Sequence, residues 1–303
     1  MNKYTILTAA IVGLGLSLSA CRDNSSQTFE NKVDSYPVVV GKGEDKKVVG
    51  EYALPSDSDI DKQPNATQIR YGQRLLNETK RLLPGYVGNQ LNCNSCHIAQ
   101  GKVPGGNPYI NTYNSYPREM PRAGKELDLA GRINGCFQRS MNGKPLPEDS
   151  EEMQAMIAYM KWLGQDVPKG QRVDVVNAVS INTDLIPNPG RGKQLYAQYC
   201  ASCHGSNGEG KQDGTGHFAF PPLWGDQSFN IGAGMARTYK AAAFIKAAMP
   251  MGVHTKGMWG EGNLLSEQDA VDIAEFFTHQ PRPDFAGKVN DWPNGKKPKD
   301  ARY

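Results

Sequence analysis

Residues 93–97 read Cys-Asn-Ser-Cys-His and residues 200–204 read Cys-Ala-Ser-Cys-His. In C-x-x-C-H the two thiols are spaced to add to the two vinyl groups of one haem, while the histidine that follows binds the iron. A single copy would be compatible with zinc or thiol redox chemistry. Two copies, each preceded by a helical pattern and followed by a long loop and a second helical pattern, point to two haems instead. A chain of 303 residues suggests two small domains plus extensions. With 38% hydrophobic residues, two protein-only cores would be lean, and a buried macrocycle would supply the missing apolar mass.

Ahead of the first motif, TQIRYGQRLLNETKRLLP places Ile69, Leu75, Leu76, Leu82 and Leu83 on an amphipathic helix starting at Thr67 and closed by Pro84 and Gly85. Ser150 and Glu152 can cap a later helix whose apolar positions are Met153, Met156, Ile157, Met160 and Leu163. The second half repeats the plan, with NPGRGKQLYAQY ahead of its motif and SEQDAVDIAEFFTHQP as the closing helix. The arrangement resembles class I cytochrome c. It implies an all-α fold of two tandem class I cytochrome c domains, residues 65–166 and 189–283, each enclosing one covalently bound haem c, with a linker at 167–188.

The N-terminus supplies an address. Lys3 precedes an apolar run from Ile6 to Leu18, which reads as an export signal over residues 1–20. Leu18-Ser19-Ala20-Cys21 resembles the bacterial lipoprotein cleavage box, so Cys21 is expected to carry acyl chains and anchor the chain to a membrane facing the periplasm. Arg22 after the cysteine favours the outer membrane. Residues 21–64 are polar and read as a flexible tether, and 284–303 as a basic tail with solvated charges. A net charge of +3 gives no sign of nucleic-acid binding.

Each iron needs a sixth ligand or an open position. In the second half the candidate is Met249 in AAMPMG, 45 residues after His204 and followed by Pro250, with Met235, Met251 and Met258 as competitors. In the first half the candidates are Met141 and Cys136, and spacing alone leaves the choice open. Arg132, Cys136 and Ser140 fall at i, i+4 and i+8, with Arg139 at i+3 from the cysteine, so a helix would set all four on one face. A cationic, hydroxyl-bearing stripe around a thiol suits a small oxyanion. Arginines that neutralise haem propionates, beside a cysteine that only packs, are the plainer alternative. His217, His254 and His279 read as surface or packing residues.

The segment GRINGCFQRSMNGKPLP, residues 131–147, resembles the dihaem thiosulfate dehydrogenases of bacteria, some of which also reduce tetrathionate. The likeness extends over residues 65–283. It implies Cys136 as the iron ligand opposite His97, with Arg122, Arg132, Ser140 and Lys144 lining a thiosulfate site. It also implies His204 and Met249 as the ligands of the second haem. Electrons would leave to a periplasmic cytochrome c or a terminal oxidase. Some members use a lysine beside the methionine; here Ala248 holds that place and Lys246 lies three residues before Met249. A non-enzymatic dihaem electron carrier and a haem subunit of a sulfur-oxidising complex are the competing readings.

Overall fold

A computed structural model describes residues 35–252, 262 and 264–303. The export signal, Cys21, His254 and Met258 lie outside the described residues.

The first domain is built on α1 (Ala66–Asn77), α2 (Thr79–Leu82), the short turn α3 (Ile98–Gly101), α4 (Leu129–Arg139) and α5 (Glu151–Leu163). Ser150 caps α5 as expected, its hydroxyl accepting from the Met153 N–H at 3.2 Å. The helix expected from Thr67 to Leu83 instead breaks at Glu78 into α1 and α2. The break lets Thr79 turn its fully buried hydroxyl to accept from the Cys93 N–H at 3.0 Å, while the Lys80 N–H donates to Asn92 Oδ1 at 2.9 Å. Two bonds therefore fix the first C-x-x-C-H to the end of the helix before it.

The second domain repeats the scheme with α6 (Pro189–Tyr199), α7 (Ala201–His204), α8 (Thr238–Ala248) and α9 (Glu267–Thr278). Asn188 caps α6 by accepting from the Arg191 N–H, with Pro189 at the first helical position where its missing donor costs nothing. Ser266 and Asp269 form a capping box at α9. In both domains the first and last helices cross at a glycine. A Cβ on Gly72 of α1 would lie 2.0 Å from the Ala155 carbonyl oxygen of α5, and one on Gly192 of α6 would lie 1.9 Å from the Asp272 carbonyl oxygen of α9.

The fold is not purely helical. Strands β1 (Tyr36–Val40) and β2 (Lys47–Tyr52) pair antiparallel, β3 (Arg118–Met120) and β4 (Lys125–Leu127) make a hairpin, and β5 (Arg172–Val173) joins the other edge of β1. A further hairpin joins β6 (Lys211–Gln212) to β7 (Phe218–Phe220). Residues 36–62, expected within a tether, are therefore structured, and part of the expected linker completes their sheet. Val38, Val39 and Tyr52 are buried, and the Tyr52 hydroxyl donates to the Leu163 carbonyl at 2.6 Å. The charged stretch 41–46 is the turn between the two strands, and its composition masks them.

The expected basic tail also packs. Trp292 is buried, and its N–H donates to the Arg122 carbonyl at 2.8 Å. One apolar cluster runs from Leu75 and Met156 of the first domain to Val271 and Phe277 of the second. Asn230, 1% exposed, ties the two together by donating its side-chain amide to Gln138 O and Asn142 Oδ1.

Candidate active site

A cavity of about 410 Å³ opens in the first domain. Cys93, Cys96 and His97 line one part of it, and Arg132, Cys136 and Ser140 of α4 and its C-terminal end line another. His97 Nδ1 lies 2.6 Å from the Asn107 carbonyl. A carbonyl only accepts, so Nδ1 carries the proton and Nε2 keeps its lone pair for a metal. Tyr109 stacks on the ring with centroids 4.2 Å apart. Burial pushes the imidazole down to about 4, keeping it in the neutral, ligating form. Burial also pushes the Cys93 and Cys96 thiols up to about 12.

Neutral imidazole, paired thiols and apolar walls that include Leu76, Ile133, Met156 and Met160 fit a c-type haem. Zinc fits poorly: among the described residues no group of three or more His, Cys, Asp or Glu is placed to hold a metal ion.

Helix α4 delivers the chemistry. Asp128 caps it by accepting from the Gly131 N–H at 2.8 Å, and one turn further on Arg132 Nη1 donates to Cys136 Sγ at 2.9 Å. The sulfur beside it holds the Arg132 guanidinium well above its ordinary range. Ser140 and Met141 follow on the cavity wall, so both sulfur candidates of the first domain reach the same space. Met141 is buried in the apolar core, whereas Cys136 is half-buried and bonded to a cation.

Three of the other expected cations sit elsewhere. Arg139 forms a two-pronged pair with Asp291 at 2.8 and 3.0 Å and lies over the Phe285 ring. Arg122 donates to the Gly232 carbonyl, stands 3.7 Å from Asp291 and covers Trp292. Lys144 is exposed, its backbone N–H bonded to the Tyr86 carbonyl. None of the three lines the cavity. Sequence reasoning missed Lys240 of α8, which does, because nothing local marks a contact made across domains.

The second motif has matching geometry. His204 Nδ1 lies 2.9 Å from the Pro221 carbonyl, burial holds its imidazole low, and burial pushes the Cys200 thiol up to about 12. Cys203 is likewise free of any disulfide. Met249 closes α8 and packs, partly buried, against the core, as does Met235, whereas Met251 is 39% exposed. His217 and His279 make local surface contacts with Thr215 and Glu275.

Comparison with known proteins matches these two halves. The family model described as SoxA/TsdA, cytochrome c domain, covers residues 87–168, and that described as cytochrome c covers 190–281. A thiosulfate dehydrogenase of Psychrobacter arcticus is 46% identical over 249 residues, 82% of this chain and 74% of its own length. One from Stutzerimonas stutzeri is 34% identical over 285 residues, 92% of this chain and 85% of its own. The solved structure of thiosulfate dehydrogenase (TsdBA) from Marichromatium purpuratum superimposes with a TM-score of 0.65 at 31% identity, over 75% of this chain and 48% of that one. Each matched domain contains one C-x-x-C-H motif, and the chain carries two covalently bound haem c groups.

Proposed function

We propose that this chain, which belongs to the thiosulfate dehydrogenase family, joins two thiosulfate ions into tetrathionate, and can run the reverse, in the cavity of its first domain. The observation that carries the reading is the 2.9 Å contact between Arg132 and Cys136, inside the same cavity as the first C-x-x-C-H. A structural cysteine would pack among apolar groups. This one is set beside a guanidinium and a hydroxyl, the partners an oxyanion substrate needs.

The reaction 2 S2O3(2−) → S4O6(2−) + 2 e− releases two electrons, and the haems supply two one-electron acceptors. Cys93, Cys96, His97 and Cys136 would hold the first haem, and Cys200, Cys203, His204 and Met249 the second. The Cys136 thiolate bonds the sulfane sulfur of one thiosulfate as two electrons leave, giving a cysteine S-thiosulfonate. Arg132 and Ser140 hold its sulfonate. The sulfane sulfur of a second thiosulfate then attacks the sulfane sulfur of the adduct, releasing tetrathionate and restoring the thiolate. No proton changes hands, so no general base is required. Arg122, engaged with Gly232 and Trp292, and Lys144, exposed and not lining the cavity, are left out of this site.

Electrons would leave through the second haem to a periplasmic cytochrome c or terminal oxidase. A lipid anchor at Cys21, in the outer membrane, would keep the catalytic domains in the periplasm. Replacement of Cys136 by Ala should retain both covalent haems, read by pyridine haemochrome, while thiosulfate oxidation and tetrathionate reduction fall by about a thousandfold or more, the scale of a lost nucleophile. Normal turnover in that variant would rule out a chemical role for the Cys136 sulfur.

A further inference from the structure

Tetrathionate carries a sulfonate at each end of a sulfur chain, so a site that makes it needs anion recognition at two places. On the reading above, Arg132 and Ser140 serve one end. We propose that Lys240, carried by the second domain, holds the sulfonate of the second thiosulfate, so that the catalytic site is completed only where the two domains meet.

Among the described residues lining the first-domain cavity, Lys240 alone comes from the second domain. It also lines a second cavity of about 450 Å³ together with Arg237 and Lys299. Among the described residues, no carboxylate pairs with its ammonium group. Asp300, which lines that second cavity too, accepts from the Tyr239 N–H at 2.9 Å. Arg237 and Arg132 add like charge around the lysine, and Arg237 Nε is buried with no hydrogen-bond partner among the described residues. A lysine without a carboxylate partner, set beside two arginines, suits a dianion. Lys240 also stands on the helix that ends at Met249, so one rigid element would join the substrate site to the ligand of the second haem.

The inference rests on the first-domain cavity being the thiosulfate site, and the test separates the two. In the haem-loaded full-length protein, Lys240→Gln should raise KM for both thiosulfate and tetrathionate about tenfold, the scale of one charged hydrogen bond. The potential of the first haem should stay unchanged, and Lys240→Arg should restore most of the affinity. Unaltered KM in Lys240→Gln, beside an active parent, overturns the role of the lysine alone. A shifted haem potential with unaltered KM assigns the lysine to a haem propionate and overturns it as well. Failure of the parent to oxidise thiosulfate overturns both readings.

Discussion

Arg132, Cys136 and Ser140 share one wall of the cavity because a helix repeats every 3.6 residues, and that much could be read from spacing. The fate of Arg139 could not. Its guanidinium turns to Asp291, 152 residues away, and no local pattern encodes a partner at that distance. Arg122 was lost to the same carboxylate and to Trp292 for the same reason. At the second motif, Met249 is partly buried against the core, whereas Met251 is 39% exposed. Thioether ligation raises a haem potential. Met249→Ala should therefore lower the potential of the second haem and slow electron exit, with KM for thiosulfate unchanged. A redox titration that superimposes on the parent would remove Met249 from the ligand set.

The start of α5 was legible from Ser150, because capping chemistry is local. The break at Glu78 was not, since it accompanies a bond that the Thr79 hydroxyl accepts from the Cys93 N–H, fourteen residues on. Strands β1 and β2 were hidden for a different reason: a charged turn dilutes the two runs, and their third strand, β5, comes from much later in the chain. The repeated architecture depends most on the two glycine crossings, which periodicity does not reveal. Gly72→Ala would drive a methyl group into the Ala155 carbonyl, forcing α1 and α5 apart. The expected loss is about 1–3 kcal/mol, as for other overpacked contacts. Thermal unfolding should show it, and an unchanged melting temperature would mean that the crossing is looser than described.

Over the whole molecule, two haem domains are held as one unit by a shared core, by Asn230 and by the segment that returns after Pro283. Asp291 in that segment is 2% exposed at its side chain and neutralises Arg139, three residues from Cys136, while the Tyr303 hydroxyl donates to it. Asp291→Asn leaves a guanidinium without its counter-charge and should cost about 3 kcal/mol, at the lower end for a buried pair broken on one side. Stability unaffected by that change would show the returning segment to be dispensable. The internal duplication was plain from two short motifs, but the way the halves join was not, because every joining contact spans distant sequence. All of the proposed chemistry depends on the Cys136 sulfur reaching the iron of the first haem, which His97 would hold. Low-temperature electron paramagnetic resonance of the oxidised, haem-loaded protein tests this most directly. The account predicts a low-spin signal with the compressed g-spread of thiolate ligation, absent from Cys136→Ala. A spectrum containing only histidine and thioether types of haem, identical in the variant, would contradict it.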